Sequence, residues 1–455
     1  MQFALIDGNS FYASCQMAFD PSLRDRPVVV LSNNDGCVVA ANALAKSLNS
    51  ELLAAANGDL GAGGFAGAMP DNMMFQPYFK VKWLLDKHQA AVFSSNYELY
   101  ADMSQRMHNI IGGFSPHQEV YSIDESFLGL QGLEVDDWHR WGWQIKQSVD
   151  KQIGVPVAVG IGPTKTLAKL ANHLAKNHSS VNANWEGVYV IEHWQAASFI
   201  AQLKKLPIQK VWGIGKRLAK RLQRDGLETV WQFQQTSGVR LRRTYGVMME
   251  RTWRELHGEV CFQLYESPDA KQQIIASRSF GQLVMELSVL QRAVVSHLSR
   301  ALEKLRHQRS LCQAITVSIR SNPFSATQPF YHHKQTIVLT EPTDNDLFLA
   351  KQVRALVAQI WQPEVEYHKA GVVLGGITPS NSFQLDLFSQ SQSYATQRQQ
   401  SLMTLMDQVN RQQGAKTLFV AAAGSPKNNQ WQMLRNKMSP RYTTNWHELA
   451  VAHAK

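Results

Sequence analysis

At 455 residues, with 44% hydrophobic and 18% charged side chains, the chain is too long for a single core and apolar enough to bury several, so roughly two to four domains are expected. No apolar run approaches the ~18 residues of a membrane span, and MQFALIDGNS has no basic region leading into a cleavable apolar segment, so a cytoplasmic protein is expected. The cysteines at 15, 37, 261 and 312 form no CxxC pair, which argues against a structural zinc site and a disulfide framework.

The net charge of +10 is unevenly placed: residues 1–200 carry −6, residues 201–260 carry +8 and residues 261–455 carry +8. An acidic first part joined to a basic remainder suits catalysis in one region and a grip on a polyanion in the others; ordinary solvated surface charge is the alternative.

In chain order, FALID (Phe3 to Asp7) reads as a buried strand that delivers a carboxylate at its end, followed by Gly8. The Gly/Ala-rich stretch from Ser50 to Asp71 has no strong periodicity and is expected to be a surface loop. YSIDESF (121–127) reads as a second strand interrupted at its acids, because neighbours on a regular strand face opposite ways and only a turn or bulge brings Asp124 and Glu125 to one place. If the two strands lie side by side, Asp7, Asp124, Glu125 and the Gly8 carbonyl form an all-oxygen set suited to Mg²⁺. Two such ions about 3.5 to 4 Å apart clamp the attacking and leaving oxygens of a phosphoryl transfer. Solvated turn acids are the plainer reading.

VPVAVGIGPTKTLAKLANHLAK runs from a strand through a Gly-Pro turn into a helix with Thr164 as N-cap, and Lys165 and Lys169 share a face near its N-terminus as a triphosphate cradle or as ordinary surface lysines. It is no Walker A loop, since Thr164 stands where the glycine before the lysine belongs. In LPIQKVWGIGKRLAKRL, Gly213 and Gly215 frame a tight turn followed by Lys216, Arg217, Lys220 and Arg221, a hairpin suited to non-specific phosphate contacts. Near the end, a Ser/Gln-rich tether carries Leu385, Leu387 and Phe388, apolar anchors that either enter a partner's pocket or pack on their own domain.

Taken together, LIDGNSFYASC, LSNNDGCVVA, FSSNYELYADMS, YSIDESF, GIGPTKTLAKLANHLAK and VWGIGKRLAKRL resemble, in order, the motifs of Y-family translesion DNA polymerases, and QWQM and MSPRYTTNW near the C-terminus extend the likeness to nearly the whole chain. The resemblance implies an α/β (α+β) right-hand fold. Its palm would span 1–16 and 93–185, and its fingers 17–92 with the inserted loop near 50–71. A helix-hairpin-helix thumb would span 186–260 and a little finger 261–377, with a tail at 378–455.

The resemblance further implies Asp7, Asp124 and Glu125 as catalytic ligands of two Mg²⁺ ions with Gly8, and Phe11, Tyr12, Lys46 and Lys169 as nucleotide-binding residues. Tyr12 would be the steric gate against a ribose 2′-OH. Gly213, Gly215, Lys216, Arg217 and Lys220 would hold DNA, and Gln384, Leu385, Leu387 and Phe388 a sliding clamp. Primer-template DNA, dNTPs, a cleaved UmuD-like dimer, a RecA filament and the clamp are the implied partners, in an SOS response to DNA damage. Small residues at Val38, Val39, Ala40 and Ala41 would leave an open pocket tolerant of lesions. Ser10 and Ala43 replace tyrosines, and Ala41 an arginine, found in some relatives, which bears on nucleotide affinity. Paired acids by themselves leave a nuclease, a cyclase or a non-catalytic DNA-binding factor open.

Overall fold

The computed structural model describes residues 1–56, 70–177, 186–265, 270–325, 328–381, 393–414, 416–425 and 431–450. The chain divides into two compact units: residues 1–32, 36–268 and 437–455 form one, residues 33–35 and 269–436 the other.

The first unit is built around a five-stranded sheet in which Phe3–Gly8 is central, antiparallel to Glu125–Gly129 on one side and Val157–Gly162 on the other, with His117–Val120 and Val188–Val190 at the edges. The central strand is apolar from Phe3 to Ile6 because both its faces are covered there. Ala4 and Ile6 join the core under the helices Tyr97–Gly112 and Trp138–Ile153, while Phe3 and Leu5 cluster with Phe127 and Ala168. Ala168 lies on the helix Lys165–Asn177, capped as expected by Thr164, whose Oγ1 accepts from Leu167 N at 3.2 Å. The helix lies very close to the sheet: a Cβ on Gly160 would fall 2.1 Å from Asn172 N, so only glycine permits the approach.

Three short strands, Val38–Ala41, Val28–Leu31 and Ala91–Ser94, form a second sheet around Val29, Leu31, Leu84 and Leu85. Part of the stretch expected to be a loop departs from that expectation: Asn49–Ala56 is a helix that buries Leu52 and Ala55, since NSELLAAA has good helix formers and two apolar residues on one face. The rest of that insertion, 57–69, lies outside the described residues. Short helices from 197 to 256 surround a third core of Phe199, Leu203, Val230 and Phe233.

In the second unit, four long antiparallel strands are ordered His332–Thr343, Ser310–Ser321, Tyr367–Pro379, Ile274–Val284. The helices Leu287–His307 and Asp346–Ile360 cover one face, and the alternation of buried Ile315, Val317 and Ile319 with Thr316, Ser318 and Arg320 leaves the other face to solvent. Half-buried Arg306 ties the later helix Ser393–Gln413 to this unit: its Nε and Nη2 donate to Asp407 at 2.6 and 2.9 Å, its Nη1 to Asp346 at 3.1 Å. Cys15 and Cys312 are buried, and all four cysteines are free thiols. Among the described residues, no helix is long and apolar enough to cross a membrane.

Candidate active site

Strand parity assembles the site. Phe3, Leu5 and Asp7 alternate toward the Lys165–Asn177 helix, and antiparallel register sets Leu5 opposite Phe127 and Asp7 opposite Glu125. Side chains paired in this way share a face, about 5 Å apart at Cβ. Asp124 comes from the bend that precedes its strand, as its sequence suggested. Gly8 N donates to Asp124 O at 2.8 Å, and Ser122 Oγ organises the bend by accepting from the Glu125 amide at 3.1 Å and donating to Asp124 Oδ1 at 2.6 Å.

Lysines answer these acids. Lys169 Nζ meets Glu125 Oε1 at 2.7 Å and stands 4.6 Å from the centre of the Tyr121 ring. Lys176 Nζ meets Asp7 Oδ1 at 2.6 Å. Lys176 escaped the sequence reading, although its spacing of seven from Lys169 puts both on one helix face. Lys165, by contrast, does not belong to a phosphate cradle. It is buried against Phe127, with Nζ 2.6 Å from Glu119.

Burial pushes the Asp7 carboxyl up to about 6, against the pull of Lys176 and with a further push from the Glu125 and Asp124 charges. Among the described residues no three acidic, histidine or cysteine side chains converge on one point, since each acid is turned to its own partner. The donors themselves, three carboxylates at two strand ends beside the Gly8 carbonyl, are all hard oxygens, and their crowding is a cost that a divalent cation would relieve. The residues therefore fit Mg²⁺.

Next to the acids, the helix Phe11–Phe19 opens at Ser10, which sits in the left-handed region at φ 49° and caps with no side-chain bond, receiving instead the Lys46 ammonium at 2.8 Å. Burial and the neighbouring Lys176 charge hold the Lys46 amine below its ordinary value. Tyr12 stacks on Tyr100 with ring centres 4.4 Å apart, and Tyr97 meets it edge-on at 6.2 Å. Burial raises the Tyr12 phenol to about 12, so it stays protonated. The Phe11 side chain is 3% exposed and packs in the sheet's core, one helical step round from Tyr12.

The hairpin expected around Gly213 is present. A short turn of helix at Ile208–Lys210 leads to Gly213 at φ 84°, Gly215 caps the helix Lys216–Arg224, and Lys216, Arg217 and Lys220 are exposed around it. Arg221, also exposed, lies over Tyr245, 4.7 Å from the ring centre. Trp212, unremarked in the sequence, donates from Nε1 to the Tyr121 hydroxyl at 3.1 Å and so brings this hairpin's base to the edge of the site.

In the second unit, Arg320 and Lys369 lie directly opposite each other across paired strands on the open sheet face, beside Ser318 and His332 in a shallow depression of about 180 Å³. Like charges in register oppose folding and call for an anion. Gln384, Leu385, Leu387 and Phe388 lie outside the described residues.

Comparisons with known proteins concern the family and the fold. A model described as the impB/mucB/samB family matches residues 6–50 and 73–173, and that family's C-terminal domain model matches 271–387. A model of the family's helix-hairpin-helix motif matches 197–226, and a domain of unknown function matches 400–452. The chain is 40% identical to Protein MucB of Salmonella typhimurium over 100% of both chains. It is 38% identical to Protein UmuC of Salmonella typhimurium strain LT2 over 98% of this chain and 99% of that one. It is also 26% identical to DNA polymerase IV of Brucella melitensis, over 84% of this chain and 77% of that one. Among solved structures, a Y-family DNA polymerase chimera of Dbh and Dpo4 aligns with a TM-score of 0.58 at 18% identity, covering 83% of this chain and all of that one. That likeness concerns the fold, with its palm, fingers, thumb and little finger.

Proposed function

The chain belongs to the impB/mucB/samB family of Y-family DNA polymerases, and we propose that it is an error-prone translesion polymerase subunit, adding dNTPs opposite damaged template bases by two-metal nucleotidyl transfer in the SOS response. The observation that carries this reading is the register of Asp7 against Glu125, with Asp124 folded in beside them and Tyr12 close by.

In this reading Asp7, Asp124, Glu125 and the Gly8 carbonyl would hold two Mg²⁺ ions. When bound, these supply acidity to the primer 3′-OH and charge neutralisation to the pyrophosphate. Lys169 and Lys176, held at Glu125 and Asp7, would lie beside the ions and could turn to triphosphate oxygens, so the helix presents its charges already aimed. The open N-terminus of Phe11–Phe19, with Lys46 beside it, receives a further phosphate through the backbone amides of Phe11 and Tyr12. The Tyr12 ring, braced by Tyr97 and Tyr100, occupies the space of a ribose 2′-OH. Gly213, Gly215, Lys216, Arg217 and Lys220 grip duplex backbone, and the Arg320–Lys369 face adds a second sequence-independent contact.

Exchanging Lys216 and Lys220 for alanine weakens duplex binding equally on all sequences and lowers the slope of log affinity against log salt by about 1 for each phosphate that is no longer neutralised. Anisotropy titrations across salt concentrations check it; an unchanged slope removes the hairpin from the interface.

The reading as a whole is tested by primer extension over a single abasic site with Mg²⁺ and dNTPs, alone and with the cleaved UmuD-like dimer, RecA filament and sliding clamp. Synthesis past the lesion is expected. Primer degradation without dNTPs indicates a nuclease, product formation without DNA a cyclase, and DNA binding with no synthesis under any condition a non-catalytic factor.

A further inference from the structure

After Asn436 the chain leaves the second unit, and the stretch that follows belongs to the first, within the 400–452 segment matched by a domain of unknown function. The attachment is specific. Lys437 and Ser94 exchange two bonds, Ser94 N to Lys437 O and Lys437 N to Ser94 Oγ, both 2.9 Å, and Met438 pairs in parallel with Ser94 as an added rung on the edge strand Ala91–Ser94. Fully buried Asn96 spreads its amide NH₂ over Ser439 O at 3.0 Å, Ser439 Oγ at 3.1 Å and Pro440 O at 3.2 Å. Tyr442 stacks flat on Phe19, ring centres 4.7 Å apart at 12°. The stretch is braced within itself by Glu448, which accepts from the Arg441 amide at 2.6 Å and from Asn445 Nδ2 at 2.7 Å.

The two places it holds are the ends of two particular helices. Phe19 is the last residue of the helix that carries Tyr12. Asn96 caps the helix that carries Tyr97 and Tyr100, accepting from Leu99 N through Oδ1. Tyr12 is placed by its stack on Tyr100 and its edge contact with Tyr97, so its position depends on how these two helices sit against each other. A small change there is felt at the ring, because packed elements pass displacement on as units.

We infer that residues 437–448 form a strap that positions the sugar gate, with Asn96 and Tyr442 as positioning residues for nucleotide selection; the inference rests on the reading of Tyr12 as that gate. Side chains at the strap never touch the nucleotide. They set the spacing of the helices between which Tyr12 is held.

The test uses the full chain and single-nucleotide insertion with a dNTP and its matching rNTP. Asn96→Asp keeps the acceptor that caps the helix and turns a carboxylate toward three strap oxygens, so it detaches the strap while sparing the helix. Tyr442→Leu removes the stack, and Tyr442→Phe keeps it; Tyr12→Ala is run beside them. Both detaching variants are expected to raise rNTP kcat/KM relative to dNTP by about fivefold, mainly through rNTP KM, with dNTP kcat within about twofold of the parent and Tyr442→Phe unchanged. If either protein melts early, the other carries the comparison. Parental sugar discrimination in the detached variants, alongside relaxed discrimination in Tyr12→Ala, overturns the strap alone. Unchanged discrimination in Tyr12→Ala overturns the gate reading, and the strap inference with it.

Discussion

Alanine at position 124 is expected to lower dNTP insertion by about 10³-fold or more while leaving DNA affinity and folding intact. The loss is chemical because the bend that carries Asp124 does not need its carboxylate: Ser122 Oγ still accepts from the Glu125 amide, and Gly8 N still donates to the backbone carbonyl of residue 124. Removing one of three crowded acids also relieves repulsion, since the Asp124 charge contributes to the upward push on Asp7. The variant should therefore melt no lower than its parent in a chelator, as active-site acids often cost stability where they are unneutralised. The basic hairpin around Gly213 and the Arg320–Lys369 face are untouched, so the duplex still binds. Rapid-quench insertion, anisotropy with labelled duplex and a melting curve check the three parts. Insertion within tenfold of the parent would remove Asp124 from the metal set, and a large drop in melting temperature would recast it as a structural residue. Asp124→Asn separates charge from shape: it keeps an acceptor for the Ser122 hydroxyl yet should insert as poorly as alanine, because an amide carries no charge to balance a cation.

Much of this site could be read locally, and the part that could not is the part set by pairing. FALID announces a strand ending in an acid, and YSIDESF announces a strand broken at its acids, since both patterns depend on period-two alternation within a few residues. Thr164 as a cap and the Gly-x-Gly turn are equally local. That Asp7 faces Glu125 is not local: it depends on which strand becomes the neighbour and in which register. Nor is the choice between lysines. Lys165, Lys169 and Lys176 recur on one face of one helix, but which is buried against Glu119 and which meets Asp7 follows from the closeness of that helix to Gly160. The direction of the Phe11 side chain is not local either: being next to Tyr12 in a helix means pointing elsewhere, here into the core. Arg320 and Lys369 meet only once two distant strands pair. The strap at 437–448 is the extreme case. Its polar, irregular sequence has the composition of a solvated tail, and its attachments are backbone bonds and single side chains that leave no periodic signal.

Replacing Tyr12 with alanine should raise incorporation of ribonucleotides relative to deoxynucleotides by about 10²-fold, the discrimination that shape alone provides against one added hydroxyl. Rigidity decides the outcome. A gate excludes a 2′-OH only if its ring cannot swing away, and Tyr12 is held by a near-parallel stack on Tyr100 and an edge contact from Tyr97. Tyr100 is in turn fully buried, its hydroxyl accepting from Gln16 Nε2 at 2.8 Å, so the backing ring is itself fixed. Deoxynucleotide insertion should fall far less, since the pairs of Lys169 with Glu125 and Lys176 with Asp7 are made without the Tyr12 ring. Tyr12→Phe keeps the ring and should keep the discrimination, because the phenol stays protonated and the exclusion is steric. Single-turnover insertion with paired dNTP and rNTP measures all three proteins. An unchanged ratio in the alanine variant would move the source of sugar selection to another residue. Lost selection in the phenylalanine variant would show that the hydroxyl, and not the bulk of the ring, does the excluding.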